Sequence, residues 1–163
     1  MGSLFSCCCS CLPDSLRLRC LKEDKKYGFP FKTYTVFVQE VIDGDTFHIT
    51  FFIDKTPVTL KLRLFGVDTP ELSSKNLVEK QAAVKVRNII ERKILHRYLT
   101  CELHKWDKYG GRVVGKIFVN GKSLTDTILK YKLGKQYEGA SKEDWKEEEL
   151  QSMLNCCYEK IRW

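Results

Sequence analysis

The order of strand-forming and helix-forming segments is the feature that most constrains the fold of this chain. Residues 33–42 are rich in Val, Phe, Tyr and Thr, which is typical of a strand, and Asp43 and Gly44 then mark a tight turn. Residues 45–53 predict the returning strand. After a second turn, residues 59–65 alternate apolar and charged side chains, as a half-buried strand does. The folded part is therefore predicted to begin with a meander of three strands.

The rest of the sequence predicts one internal helix, two more strands and two final helices. Apolar residues recur at helical spacing through residues 76–97, and short strands are expected at 99–104 and 112–119. Helices are expected at about 124–132 and from 141 toward 158. The order βββαββαα, with a helix between the third and fourth of five strands, is that of an OB-fold barrel. We therefore predict an α+β chain with a mainly β core: a five-stranded OB-fold barrel with about three helices.

The composition favours a folded basic domain without a transmembrane helix. The 163 residues amount to about one domain, and 43% of them are hydrophobic, which is enough for a core. No run of about 18 apolar residues occurs. Lys and Arg number 28 against 21 Asp and Glu, which gives a formal net charge of +7. Such a domain favours a polyanionic partner, either nucleic acid or an anionic membrane surface.

Residues 1–30 predict a lipid anchor and linker, separate from the OB-fold domain at 31–163. The N-terminus fits the pattern for myristoylation of Gly2 after removal of Met1. One acyl chain binds a membrane only weakly, so a second signal is needed. The thiols that follow are candidates for palmitoylation: Cys7, Cys8 and Cys9. We therefore expect the chain at the cytoplasmic face of a membrane, held there by N-terminal acylation.

Three other interpretations of this segment remain open. It is an inert tail, a secretory signal peptide that lacks the usual positive start, or part of a zinc site built on Cys8 and Cys11. The distribution of the eight cysteines argues against secretion. Several are adjacent in sequence, and adjacent cysteines do not form a regular disulfide framework.

Two acidic residues at strand ends predict a metal site. Asp45 opens the second predicted strand and Asp68 follows the third, so the meander brings both to one end. Two carboxylates and a backbone carbonyl are hard oxygen ligands that suit Ca²⁺ or Mg²⁺. Glu71 lies close enough along the chain to orient a water there, while Arg63 and Arg112 would meet a phosphate. With the basic surface, these residue types predict phosphodiester cleavage.

Each of these residues also has a purely structural interpretation. Asp43 belongs to an Asp-Gly pair that is typical of hairpin turns. Residues 68–71 are also typical of a turn or a helix start. Arg63 shares a strand face with Lys61 and would then be a solvated strand residue. The joint occurrence of all three features in one topology favours the functional interpretation.

The motifs resemble those of the staphylococcal nuclease (thermonuclease) family. The matching segments are Ile-Asp-Gly-Asp-Thr at 42–46, the run at 63–71 that ends in Val-Asp-Thr-Pro-Glu, and Asp-Lys-Tyr-Gly at 107–110 followed by Arg112. The resemblance covers roughly residues 33–158. It implies the OB-fold barrel with helices that the segment order also predicts.

The resemblance implies a calcium site and a catalytic acid. Asp45 and Asp68 would bind Ca²⁺ directly, together with the carbonyl of Thr69. Asp43 would lie in the outer part of the ion site. Glu71 would orient or deprotonate the attacking water.

The resemblance further implies residues that act on the substrate. Arg63 and Arg112 would clamp the scissile phosphate and stabilise the charge of the transition state. Lys108 and Tyr109 match nucleotide-contacting positions, and Tyr137 is a looser match. The implied reaction cleaves DNA and RNA with little sequence preference. It breaks the bond from phosphorus to the 5′ oxygen and leaves 3′-phosphate ends.

One departure from the family pattern concerns the second arginine. The pattern is usually Tyr-Gly-Arg, but here a second glycine, Gly111, precedes Arg112. We expect the loop to absorb this glycine, so that Arg112 keeps its strand position. If the loop does not absorb it, the second arginine is displaced. The alternative function is a non-catalytic OB module that binds nucleic acid or protein, and a monomer is the default oligomeric state.

Overall fold

The strand-forming segments pair into a barrel in a computed structural model, which describes residues 32–107, 111–139 and 142–163. The eight strands of this part of the chain, in order, are β1 (Lys32–Asp43), β2 (Thr46–Ile53), β3 (Thr56–Leu64), β4 (Gly66–Asp68), β5 (Tyr98–Trp106), β6 (Arg112–Val119), β7 (Lys122–Ser123) and β8 (Lys135–Tyr137). The helices are α1 (Leu77–Ile94), α2 (Leu124–Lys130) and α3 (Glu147–Leu154). A single 3₁₀ turn, Tyr158–Lys160, follows α3.

One parallel contact closes the barrel. Strand β1 pairs antiparallel with both β2 and β5, β2 pairs with β3, and β5 pairs with β6. Strand β3 then runs parallel to β6, with Lys61 opposite Arg112 and Leu64 opposite Gly115. Strand β7 pairs antiparallel with the end of β6, while β4 and β8 form a separate two-stranded ribbon. The prediction of a five-stranded OB-fold barrel with three helices is confirmed.

Alternating apolar side chains fill the barrel and the space beneath α1. Leu62 and Leu64 on β3 are at most 2% exposed, as the alternation along that strand predicts. Phe47 and Ile49 on β2 are fully buried beside them. Helix α1 contributes one face to the same core, made of Ala82, Val86, Ile89, Ile90 and Ile94. The core therefore holds rigid the strand ends from which the acidic residues project.

The helix starts are explained by their capping residues. Asn76 caps α1, because its side-chain oxygen accepts hydrogen bonds from the backbone N–H groups of Val78 and Glu79. The predicted start of the last helix near residue 141 is wrong, since residues 142–146 are not helical. Helix α3 begins only at Glu147, where the backbone N–H of Lys146 donates to the Glu149 carboxylate over 2.8 Å.

Part of the sequence-based interpretation falls outside the described residues. The predicted anchor segment, with Gly2, Cys7, Cys8 and Cys9, precedes the first residue of β1 and is not described. Within the ranges that are described, no helix is both long and apolar enough to span a membrane.

Candidate active site

The β1–β2 turn and the end of β3 bring the predicted acidic and basic residues together. In the β2–β3 ladder Thr46 lies opposite Arg63, which places Asp45 beside the arginine. The backbone N–H of Leu64 donates to the Asp45 carbonyl over 2.8 Å. Asp68 then follows at the end of β4, which pairs with β8. The strand register, rather than any local motif, therefore sets the distances within the site.

Arg63 bridges the two carboxylates that were predicted to hold a metal ion. Its Nη1 donates to Oδ1 of Asp45 over 2.9 Å, and its Nη2 donates to Oδ1 of Asp68 over 2.7 Å. All three side chains are largely buried, with 11%, 4% and 7% exposure in that order. Arg63 is therefore not the solvated strand residue of the structural interpretation.

Burial and the neighbouring Arg63 charge have opposite effects on the pKa of Asp45. Its carboxylate also accepts hydrogen bonds from Oγ1 of Thr46 (2.8 Å) and from the backbone N–H of Thr69 (3.2 Å). Burial raises the pKa of Asp45 above its ordinary value, although the Arg63 charge opposes this shift. Burial alone would lower the pKa of Arg63, but the charges of Asp45 and Asp68 raise it. The arginine is thus held cationic.

Two buried oxygen atoms in the cleft lack hydrogen-bond partners among the described residues. They are Oδ1 of Asp43 and Oγ1 of Thr69. Burial, with help from the nearby Glu71 charge, raises the pKa of Asp43. Buried polar atoms are normally satisfied by protein groups, water or an ion, and unsatisfied oxygens beside carboxylates favour a cation. These two oxygens therefore remain available to a water molecule or to an ion.

Glu71 lies at the mouth of the cleft, after the Pro70 turn. Its backbone N–H donates to Oε1 of Glu79 in the first turn of α1 over 3.3 Å, so the helix positions the loop. Its side chain is hydrogen-bonded to Nζ of Lys142, and the same Nζ lies 2.9 Å from Oδ1 of Asp68. The sequence analysis missed Lys142, because it lies 71 positions from Glu71 in a charge-rich stretch with no motif.

Arg112 begins β6, as its predicted strand position requires. Gly111 has a positive φ of 67°, a conformation that glycine adopts readily. Nη2 of Arg112 lies 2.6 Å from the Asp107 carboxylate, and the backbone N–H of Asp107 donates to the Arg112 carbonyl over 2.8 Å. Residues 108–110 of the loop lie outside the described residues, so the expectation that the loop absorbs Gly111 stays a prediction.

A small cleft of about 30 Å³ joins these groups, with Asp43, Asp45, Arg63, Thr69, Glu71 and Arg112 in its wall. Asp68 borders a second cleft, together with Lys142 and Tyr137. Arg63 in the wall of the first cleft and Lys142 in the wall of the second both contact the Asp68 carboxylate.

A larger groove adjoins the cleft that Asp68 borders, and Tyr137 lies in the walls of both. It has a volume of about 300 Å³, and its wall includes Phe65, Trp106 and Tyr137. The Tyr137 ring lies over Arg63, with 5.6 Å from the guanidinium carbon to the ring centre. Trp106 is 40% exposed, which the sequence analysis did not anticipate. The other two predicted substrate contacts, Lys108 and Tyr109, lie outside the described residues.

The chemistry of the oxygen donors fits Ca²⁺, although their present partners are cations of the chain itself. Carboxylate and backbone oxygens are the ligands that Ca²⁺ prefers. Among the described residues, however, no three His, Cys, Asp or Glu side chains are arranged as a metal-binding cluster. Instead, Arg63 and Lys142 neutralise Asp45 and Asp68. A metal ion would therefore have to replace at least part of this internal pairing.

Comparison with known proteins gives one finding. The family model described as staphylococcal nuclease homologue matches residues 61–160, which is more than half of the chain. This range includes Arg63, Asp68, Glu71 and Arg112, whereas Asp45 precedes it. No curated protein matches the chain.

Proposed function

Because the chain belongs to the staphylococcal nuclease homologue family, we propose that it is a calcium-dependent phosphodiesterase that cleaves DNA and RNA. The family match confirms the resemblance found in the sequence and, at the coarser level, indicates a nuclease or nucleic-acid-binding domain. The observation that carries the proposal is the cleft that Arg63, Arg112, Asp45 and Glu71 line together. A domain that only binds nucleic acid has no need of a buried carboxylate pair beside two arginines.

The two arginines both line the cleft and would hold the scissile phosphate there. A guanidinium has five N–H donors, and the bonds to Asp45 and Asp68 occupy two of those on Arg63. The remaining donors are suited to phosphate oxygens, whose charge grows in the transition state. Arg112 is oriented by Asp107, so its guanidinium is held in place before substrate arrives.

Glu71 is the acid placed to handle the attacking water. Once its carboxylate is free of Lys142, it would accept a proton from that water as the oxygen attacks phosphorus. The bond from phosphorus to the 5′ oxygen would break in the same displacement. The leaving oxygen would take a proton from solvent water, and Glu71 would return its proton to solvent. The products are a 3′-phosphate and a 5′-hydroxyl. Little sequence preference is expected, since Arg63, Arg112 and Glu71 act on the phosphate or on the attacking water rather than on a base.

A calcium ion would be held by Asp45, Asp68 and the Thr69 carbonyl, with Asp43 in the outer part of the site. When bound, it supplies positive charge that neutralises a non-bridging phosphate oxygen. The unsatisfied oxygens of Asp43 and Thr69 support this location. Two carboxylates give weak binding, so activity is expected to depend on a rise in calcium.

The nucleotide on either side of the phosphate would contact Tyr137, Lys108 and Tyr109. Tyr137 already lies beside Arg63 and forms part of the wall of the larger groove. Acylation at Gly2 and at Cys7, Cys8 and Cys9 would hold the enzyme at the cytoplasmic face of a membrane. Intact-mass measurement of the chain from a eukaryotic cell, beside a Gly2→Ala variant, tests the acylation separately from the chemistry.

The deciding experiment measures cleavage of single-stranded DNA and RNA by the full chain in calcium or in EGTA. Glu71→Gln should reduce cleavage by about 10²- to 10⁴-fold, the usual contribution of a general base. The matched control is Glu148→Gln, which removes an exposed acid on α3 and should leave the rate unchanged. Undiminished cleavage by Glu71→Gln would contradict the proposed role. Binding without any cleavage would indicate the non-catalytic module instead.

A further inference from the structure

Lys142 is a third cation in the candidate active site, and it comes from a part of the chain that carries no motif. Its Nζ lies 2.9 Å from Oδ1 of Asp68 and is also hydrogen-bonded to Oε1 of Glu71. It therefore contacts one predicted metal ligand and the predicted catalytic acid at once. Oδ1 of Asp68 is shared, because Arg63 donates to the same atom.

The backbone around Lys142 has a separate anchor that does not depend on the cleft. Nζ of Lys135 donates to the Asp144 carbonyl over 2.9 Å and to Oε2 of Glu149 over 2.8 Å. The same ammonium lies 4.6 Å from the centre of the Trp145 ring. Lys135 thus holds the chain at Asp144 and Trp145. The Lys142 side chain can therefore leave the cleft without disrupting α3.

The Lys142 side chain is suited to exchange. It is 43% exposed, as is Glu71, so the ammonium is already partly hydrated and regains the rest of its hydration when it leaves. Exposed ion pairs such as Lys142–Glu71 contribute little to stability, typically below about 1 kcal/mol. The other carboxylate that Lys142 contacts, Asp68, is only 7% exposed, but it keeps Arg63 as a second cation when Lys142 leaves. Lys142 is therefore the internal cation that can be exchanged without leaving a buried carboxylate unpaired.

We propose that Lys142 is an internal counter-cation that competes with a divalent metal ion for Asp68 and Glu71, and so holds the metal-free site inactive. The inference rests on the proposed function, since it assumes that the metal ion binds at Asp68. Oδ1 of Asp68 already accepts a hydrogen bond from Arg63, so an ammonium and a metal ion would compete for its remaining lone pair and would repel each other there. Binding of the metal ion therefore releases Lys142, and this release frees Glu71 to accept a proton. The exchange of Lys142 for the metal ion thus assembles the metal site and frees the Glu71 carboxylate.

Calorimetry with calcium chloride tests the competition without any measurement of activity. The full-length chain is compared with Lys142→Met, which keeps the length of the side chain but removes its charge. If the lysine occupies the site most of the time, its removal should tighten calcium binding about three- to tenfold. Lys142→Arg keeps the charge and should bind calcium as the unchanged chain does. Lys75→Met is the matched control, because it removes an exposed lysine of the loop that precedes α1.

The outcomes distinguish this inference from the proposed function. Tighter binding in Lys142→Met, with no change in Lys75→Met, supports the competition. Equal calcium affinity in Lys142→Met and the unchanged chain overturns it, while the calcium site itself stands. If none of the folded variants binds calcium, both the calcium-dependent function and the competition fail.

Discussion

At the scale of single residues, the Arg63 guanidinium balances two carboxylates that are themselves buried. As whole residues, Asp45 and Asp68 are 3% and 5% exposed, so water solvates neither carboxylate to any large extent. Removing one member of a buried ion pair leaves an uncompensated charge, which costs far more than the pair contributes when intact. Arg63 therefore has a structural role in addition to its proposed contact with phosphate.

Substitution of Arg63 should destabilise the metal-free protein. We expect Arg63→Met to lower the free energy of unfolding by about 3 kcal/mol in EGTA, because Asp45 and Asp68 lose their shared cation. Calcium should restore part of this loss by supplying a replacement charge. Urea denaturation with and without calcium measures both effects. The control Arg97→Met removes an exposed arginine, and a loss in Arg63→Met no larger than in that control would contradict the expectation.

The cysteines of the described residues should differ sharply in reactivity. Cys101 is fully buried in the barrel, and burial raises the pKa of its thiol to about 12. Only a thiolate reacts quickly with alkylating reagents, so Cys101 should react only after the barrel unfolds. Cys157 is exposed and should react in the native state. Iodoacetamide labelling at pH 8, with peptide mass spectrometry before and after urea, measures the contrast. Native labelling of Cys101 at the Cys157 rate would contradict it.

At the scale of elements, the ribbon of β4 and β8 connects the active site to α3. Asp68 ends β4 and pairs with Lys135 in the ribbon. The Lys135 side chain reaches on to Glu149, in the first turn of α3. The position of the last helix is therefore linked to the candidate metal ligand through a single lysine.

The Lys135–Glu149 pair should make a small, pH-dependent contribution to stability. The hydrogen bond from Lys135 holds the pKa of Glu149 below its ordinary value. A lowered carboxyl pKa stabilises the fold above the unfolded-state pKa, and this gain disappears as the pH falls through the folded-state pKa. Glu149→Gln should therefore cost less than about 1 kcal/mol at pH 7, because the pair is partly exposed.

The pH dependence of that difference is the test. Thermal or urea unfolding of both proteins should show the difference fading as the pH falls from about 5 to about 3, where free glutamate becomes protonated. The control Glu148→Gln removes an adjacent exposed acid and should show a flat difference. A Glu149→Gln effect that persists below the range would point to packing rather than charge.

At the scale of the whole molecule, the net charge of the chain is positive, although four carboxylates meet in the candidate active site. The chain carries a net charge of +7, and the cations Arg63 and Lys142 pair with carboxylates of the site. Long-range attraction between the chain and a polyanion is therefore expected. Lys105 and Lys116 lie beside the larger groove, the first in its wall and the second 5.4 Å from the centre of the Phe65 ring.

Binding of single-stranded DNA should weaken steeply as salt concentration rises. Each phosphate contact contributes a slope of about −0.7 to a plot of log K against log salt concentration. In a Glu71→Gln background, which prevents cleavage, Lys105→Met and Lys116→Met should each reduce the magnitude of the slope by about 0.7. Fluorescence anisotropy measures the affinities. Lys122→Met on β7 is the charge-matched control, and an equal change in that variant would mean that the groove has no special role.

The sequence by itself determined the local elements and identified the residues of the candidate site. The strands, the internal helix and the Asp-Gly turn follow from spacing over a few residues, and so does the position of Arg63 on the side of β3 opposite Leu62 and Leu64. Such features depend on contacts between near neighbours in the chain, which periodicity records. The prediction that the carboxylates of Asp45 and Asp68 are metal ligands rests on the same kind of local pattern.

Only the tertiary structure decided how these groups are partnered. The parallel pairing of β3 with β6 places Arg112 at the cleft, and neither strand indicates this closure by itself. Lys142 reaches Glu71 across 71 positions, the start of α3 shifts to Glu147, and Oδ1 of Asp43 is left without a partner among the described residues. Each of these outcomes depends on burial and charge contributed by distant segments. Sequence spacing carries no record of such contacts, because they exist only once the barrel has closed.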